Sequence, residues 1–155
     1  MDFVNIFISF SGRINRAKFW IAVVIYIAIA FEFGVLAVVG GAGSTVRNVN
    51  TAVGLVVLIS SIGVTIKRLH DRNKSGGYVG MFVVAPLALL GAGFMIGTMS
   101  KGTDFVSTVL WLVAIVLGIW GFIELGCLRG TIGQNQYGPD PLAPEVLTPP
   151  VRTHA

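Results

Sequence analysis

The chain has 155 residues, 54% of them hydrophobic and 12% charged, with a net charge of +4 and a mean hydropathy of +0.82. A soluble domain carries roughly 25% charged residues, so this composition excludes a water-covered globule, and the length leaves no room for a second domain. The excess of positive charge does not read as nucleic-acid binding, because the basic residues flank apolar stretches and form no basic helix face or zinc pattern.

The first ten residues place Phe3, Ile6, Phe7 and Phe10 at i, i+3, i+4 and i+7, which is one face of a helix. They predict a short interfacial helix with its aromatic face in the headgroup boundary. No cleavable signal is expected, since the positive charges follow this apolar run and no small-residue cleavage site appears.

Four nearly charge-free stretches follow. A helix rises about 1.5 Å per residue, so roughly 20 apolar residues cross a hydrocarbon core of about 30 Å. The first span is expected over residues 19–39, ended by the glycine-rich run 40–44. A loop carrying Arg47, Asn48 and Asn50 leads to Thr51, a candidate N-cap for a second span over 51–66 that continues as helix to about residue 71. Residues 73–77 read as a turn. The third span, 78–98, contains Pro86, which has no N–H for the Phe82 carbonyl and predicts a kink. A tight loop at 100–104 precedes the fourth span, 105–128. The fold class is therefore all-α: a polytopic membrane protein, a four-transmembrane-helix bundle with a short N-terminal interfacial helix. Residues 1–141 form this single domain, and residues 142–155 read as a proline-rich, disordered cytoplasmic tail.

Arg13, Arg16, Lys18, Lys67, Arg68, Arg72, Lys74, Arg129 and Arg152 fall on one side of this topology, Arg47 and Lys101 on the other. The excess of Lys and Arg in cytoplasmic loops puts both termini in the cytoplasm.

Few residues offer chemistry. Glu32 lies about 21 Å along its helix from Lys18, roughly two-thirds of the way across. A carboxylate at that depth must be protonated, paired or wetted. It reads either as a proton- or cation-coupling group or as a bundle-facing residue bonded to a neighbouring Thr or Ser. Glu124 is expected to pair with Arg129, or with Lys67 and Arg68, at the inner interface. His70 beside Asp71 invites a general-base reading, but adjacent helical residues diverge by about 100°, and no nucleophile accompanies them. Arg68 and Arg72, spaced i and i+4 around Asp71, suit the gripping of a phosphate headgroup or a carboxylate. Cys127, the only cysteine, reads as a small buried hydrophobe and excludes an intrachain disulfide. Gly93 and Gly97 form a GxxxG pair suited to close helix packing, within the chain or between copies. No catalytic, metal or cofactor site is expected.

Three segments together resemble one family. Phe10-Ser11-Gly12-Arg13-Ile14-Asn15-Arg16-Ala17-Lys18-Phe19-Trp20 is similar to its opening motif. Arg68-Leu69-His70-Asp71 with Lys74-Ser75-Gly76 is similar to its central loop, and the run from Gly130 to Pro141, including Gly133, Asn135, Tyr137, Gly138 and Asp140, to its closing motif. The family is the domain-of-unknown-function 805 group of small bacterial inner-membrane proteins. The resemblance covers about residues 3–141 and implies a four-helix inner-membrane protein with no established activity. The chain departs from the family at Gly77 and Tyr78, where a tryptophan pair is common, and at Gln136, where a basic residue is common.

All three motifs fall on the predicted cytoplasmic side. Arg13, Arg16, Arg68, His70, Asp71, Arg72, Asn135 and Asp140 are therefore expected to converge in a polar cap beneath the bundle, with Asp140 paired to one of the arginines. The leading functional expectation is a non-enzymatic accessory or scaffold protein whose cap contacts anionic lipid headgroups or a membrane-protein partner. The alternative is a small oligomeric transporter or channel that uses Glu32 for proton or cation coupling. An enzyme built on His70 and Asp71 ranks behind both. The expected partners are the lipid bilayer and either a second copy or another membrane protein.

Overall fold

The computed structural model describes residues 3–39, 43–99 and 104–143. The glycines and alanine at 40–42, the loop at 100–103 with Lys101, and the tail beyond 143 lie outside the described residues. Helix α1 spans Phe3–Ile8, α2 Arg16–Val39 and α3 Ser44–Asp71. The third membrane span, Gly76–Met99, opens with a 3₁₀ turn (Gly76–Tyr78) and a π turn (Gly80–Val84) before α4, Ala85–Met99. The fourth, Asp104–Cys127, is α5 (Asp104–Phe122) continued by a second π turn, Ile123–Cys127. All four spans are long and apolar enough to cross a membrane. Their apolar residues, Phe31, Val56, Phe94 and Ile119 among them, point outward, as hydrocarbon solvent permits.

Local chemistry sets the boundaries. Asn15 caps α2, its Oδ1 accepting the Lys18 N–H at 2.9 Å. Helix α3 starts well before Thr51, which lies inside it and donates its hydroxyl to the Arg47 carbonyl at 2.9 Å. Thr51 is therefore no N-cap: Arg47, Asn48 and Asn50 are already helical, and the Asn50 amide bonds the Phe33 carbonyl of α2 at 3.4 Å. The helix closes at Asn73, whose φ of 57° is left-handed. There the Lys74 N–H reaches Leu69 O and the Asn73 N–H reaches His70 O, both at 2.9 Å, the paired closure of a Schellman motif.

Pro86 produces a π turn where a simple kink was expected. Its ring removes a donor, the turn before it widens, and the Ala85 N–H bonds Gly80 O five residues back. Gly121 of α5 lies beneath this turn, where an added Cβ would sit 3.3 Å from Phe82 Cβ. The glycine pair acts within the chain. A Cβ at Gly93 would lie 2.5 Å from Trp111 Nε1 and 3.3 Å from Ser107 O, and one at Gly97 3.4 Å from Ser107 Oγ, so both glycines bring α4 against α5.

The two hairpins, α2–α3 and α4–α5, are joined at the basic end of the bundle. Trp20 meets Phe122 edge-on at 5.4 Å and donates its indole N–H to Gly126 O at 3.2 Å. Ile6, Ile14, Phe19, Ala22, Val64, Leu69, Val79, Phe82 and Leu125 form the core there. Helix α1 belongs to that core. Ile6 is buried, Phe7 packs edge-on against Tyr26 at 6.0 Å, and Ser60 Oγ donates to the Phe7 carbonyl at 2.8 Å. The face expected in the headgroups thus lies at Ile6 and Phe7 against the bundle, because α3 offers Gly63 and Ser60 as a close docking surface. The side chain of Phe3 is outside the described residues.

Candidate functional site

The last turn of α3 sets Arg68, Asp71 and Arg72 at i, i+3 and i+4, and the Schellman closure holds that turn rigid. Asp71 is the hub. Its Oδ2 accepts Arg68 Nη1, while Oδ1 accepts Arg13 Nη2 at 3.1 Å and Arg13 Nε at 3.2 Å. All three side chains are at most 4% exposed. Two buried cations thus share one buried carboxylate, and the remaining donors turn to backbone carbonyls. Arg68 Nε bonds Leu125 O at 2.6 Å, and Nη2 bonds Leu128 O. These carbonyls are available because the fourth span ends at Cys127 and the chain is extended at Leu128, so no following helical N–H takes them. Arg13 reaches Thr131 O at 2.6 Å, Gly133 O at 2.7 Å and Gly138 O at 3.2 Å.

The segment after residue 129 is strapped across this hub. The Thr131 N–H and hydroxyl both bond the Asp71 carbonyl, at 2.7 and 3.1 Å. Asn135 Nδ2 donates to His70 O and to Thr131 Oγ1, both at 2.9 Å. Tyr137 stacks flat on His70, ring centroids 3.8 Å apart, and His70 Nδ1 lies 3.2 Å from Gly12 O, which fixes the proton on that nitrogen. Gly130 passes so near Asp71 that any Cβ there would strike the carboxylate.

The structure therefore gathers Arg13, Arg68, His70, Asp71 and Asn135 in one network. Arg72 and Arg16 join its edge, Arg16 Nη1 through the Cys127 carbonyl at 3.0 Å. Arg68 is spent on its own chain and wholly buried, so it offers no grip to an outside phosphate.

Two expected pairings are corrected. Glu124 binds Arg72 at 3.1 Å and Lys74 at 2.9 Å, not Arg129, Lys67 or Arg68. The π turn rotates Glu124 toward the α3–α4 loop, and the chain is already extended at Leu128. Asp140 pairs with no arginine among the described residues. Its Oδ1 accepts the Leu142 N–H at 2.9 Å and its Oδ2 the Gly133 N–H at 3.0 Å. These amides, the Leu142 one foremost, hold its carboxyl below the usual carboxylate range. Cys127 is exposed, not buried, at the close of the π turn. Sequence reasoning quoted Trp20, Gly130 and Thr131 in its motifs but left them out of the cap; the glycine–threonine step that opens the closing motif was the available signal.

Glu32 lies apart. It is exposed on α2, far from the network, and its carboxylate meets no hydrogen-bond or ion-pair partner among the described residues. It does not face the bundle, and no Thr or Ser bonds it among the described residues. A cavity of about 20 Å³ opens among Arg16, Arg68, Asp71 and Thr131, room for one water molecule.

The chain is 32% identical over 136 residues to the uncharacterized protein YiiR of Escherichia coli K12, covering 85% of each chain. It is 26% identical over 141 residues to the inner membrane protein YhaH of the same organism, covering 87% of this chain and 88% of YhaH. The inner membrane protein YhaI is 24% identical over 135 residues, 87% of each chain. No solved structure matches. The family model described as a protein of unknown function, DUF805, matches residues 7–139, a stretch that holds all four spans and the whole network around Asp71, and the chain belongs to that family.

Proposed function

We propose that this chain is a non-enzymatic accessory or scaffold protein of the bacterial inner membrane, with both termini in the cytoplasm and its capped end presented to lipid headgroups or a membrane-protein partner. The names of YhaH and YhaI support the membrane. The orientation rests on the gathering of Arg13, Arg16, Lys18, Lys67, Arg68, Arg72, Lys74 and Arg129 at one end, with Arg47 at the other.

The observation that carries the reading is the commitment of the cap to its own chain. Asp71, Arg13 and Arg68 tie the start of the chain, the end of α3 and the segment after α5 into one rigid plate. His70, on which catalysis would rest, is held flat between Tyr137 and Gly12, with Gly76 against its Nε2. Such a plate suits docking better than turnover.

Cys127 gives a direct test of orientation, being the sole thiol and exposed. A membrane-impermeant maleimide is expected to label it in inverted vesicles and not in intact spheroplasts. Crosslinking followed by mass spectrometry is then expected to recover a membrane protein or lipid at the capped end. The transport reading has one observation in its favour, the Glu32 carboxylate without a partner among the described residues. With Glu32 on the outer surface, only a multimer would give it a pathway. Liposomes holding the purified protein are expected to show no proton or cation flux, and flux abolished by Glu32→Gln would overturn the scaffold reading.

A further inference from the structure

A polar groove of about 380 Å³ lies beside the cap, bounded by α1, the segment leading to α2, and the first turn of α2. Asn5, Ser9, Ser11, Arg13, Lys18 and Lys67 supply its polar lining, and Ile6 and Ile14 its apolar floor. Three lining residues are cationic and none is a carboxylate. Arg13 is paired with Asp71, which it shares with Arg68. The other two are not neutralised by any described residue.

Lys67 is 2% exposed, and its ammonium is held by the carbonyls of Asn5 at 2.6 Å and Ile6 at 2.5 Å. Those carbonyls satisfy its hydrogen bonds but not its charge, and it forms no ion pair among the described residues. Lys18 has no side-chain partner among them at all. The amino end of α2, a 24-residue helix, adds partial positive charge behind Lys18. A buried, uncompensated cation beside an open groove favours an anion within it.

The surroundings say which anion. Ile21 and Ile25 follow Lys18 at i+3 and i+7, on its face of α2, and both are exposed. Below the groove lies an apolar track at membrane depth. A soluble anion would use the charges and leave the track unused; a headgroup phosphate with acyl chains uses both. We propose that this groove binds the phosphate of an anionic glycerophospholipid, with Lys18 as its direct cation, Lys67 as the fixed charge behind it, and an acyl chain along Ile21 and Ile25. The assignment deepens the scaffold reading, because it rests on the capped end meeting lipid headgroups, whichever leaflet supplies them.

Native mass spectrometry of the full chain released from nanodiscs of equal phosphatidylcholine and phosphatidylglycerol tests it. Wild-type protein is expected to retain one phosphatidylglycerol per chain. Lys18→Gln is expected to lower that retention about tenfold, the effect of losing one charge-assisted hydrogen bond. Arg129→Gln removes an exposed cation at the same end but outside the groove, and should leave retention unchanged. Equal losses in both variants would mean diffuse surface charge and overturn the site, as would no loss in Lys18→Gln. Displacement of the lipid by millimolar inorganic phosphate would overturn the lipid assignment in favour of a soluble anion. Retention in wild type together with Cys127 labelling from the outer side would leave the groove standing and defeat the orientation alone.

Discussion

Replacing Asp71 by Asn removes the single negative charge between Arg13 and Arg68 while keeping the shape of the side chain. Both guanidiniums are essentially inaccessible, at 1% and 0% exposure. Neither can recover its hydration without opening the cap. Removing one partner of a buried ion pair costs about 3–5 kcal/mol. Arg68 keeps Leu125 O and Leu128 O, and Arg13 keeps three carbonyls, so the lower part of that range applies. At roughly 2–4 °C per kcal/mol for a chain of this size, the expected fall in melting temperature is about 6–12 °C. Tryptophan fluorescence during thermal unfolding in mild detergent reads it, since Trp20 is bonded to Gly126 beside the cap. A double-mutant cycle with Arg13→Gln should show a coupling of about 0.5–3 kcal/mol, as expected for contacting residues. A shift below 2 °C, or losses that simply add, would refute the picture of one carboxylate holding two arginines.

Four further outcomes follow from the packing and the strap. Gly93→Ala should destabilise by about 1–3 kcal/mol through overpacking against Trp111 and the Ser107 carbonyl. Gly97→Ala, meeting only the Ser107 side chain, should be neutral or stabilising by up to about 1 kcal/mol, the usual helical gain of alanine over glycine; the same thermal assay separates the two. Gly130→Ala should loosen the strap, since its Cβ would strike Asp71, and raise the rate of tryptic cleavage after Arg129 relative to wild type. Asp140 sets a pH dependence. Its folded pKa is lowered, so its contribution to holding Gly133 and Leu142 is complete above the unfolded value, about 3.9, and is lost as pH falls through the lower folded value. Hydrogen exchange at those two amides should therefore lose protection only on acidification below about pH 4. Protection that instead vanished near neutrality would exclude the carboxylate as acceptor.

The spans were legible because hydropathy over 20 residues is a bulk property, indifferent to the details of packing. Convergence of Arg13, Arg68 and Asp71 was legible too, since topology alone delivers those basic segments to one end. Their bonding partners were not. Arg68 takes the carbonyls of Leu125 and Leu128, left free where the fourth span ends in a π turn, and no residue in 123–127 announces that turn. The same turn carries Glu124 to Arg72 and Lys74 and leaves Cys127 on the outside. Asp140 failed for a different reason: a distant arginine was weighed above the local preference of Asp for the amide two residues on, which Leu142 satisfies. The start of α3 escapes sequence reading because Arg47 and the asparagines read as loop, although a helix entering the membrane can carry polar residues in its first turns.

The arginines of the cap bind main chain far more than side chain: Leu125, Leu128, Thr131, Gly133 and Gly138 each contribute a carbonyl oxygen. Every amino acid carries that oxygen, so the clasp specifies a route for the polypeptide and is indifferent to much of the lettering along it. Different side chains at 125 and 128 would shut it equally well, provided the backbone still swings wide at the foot of the fourth helix. A glycine must stay at 130, where the route passes too close for anything larger.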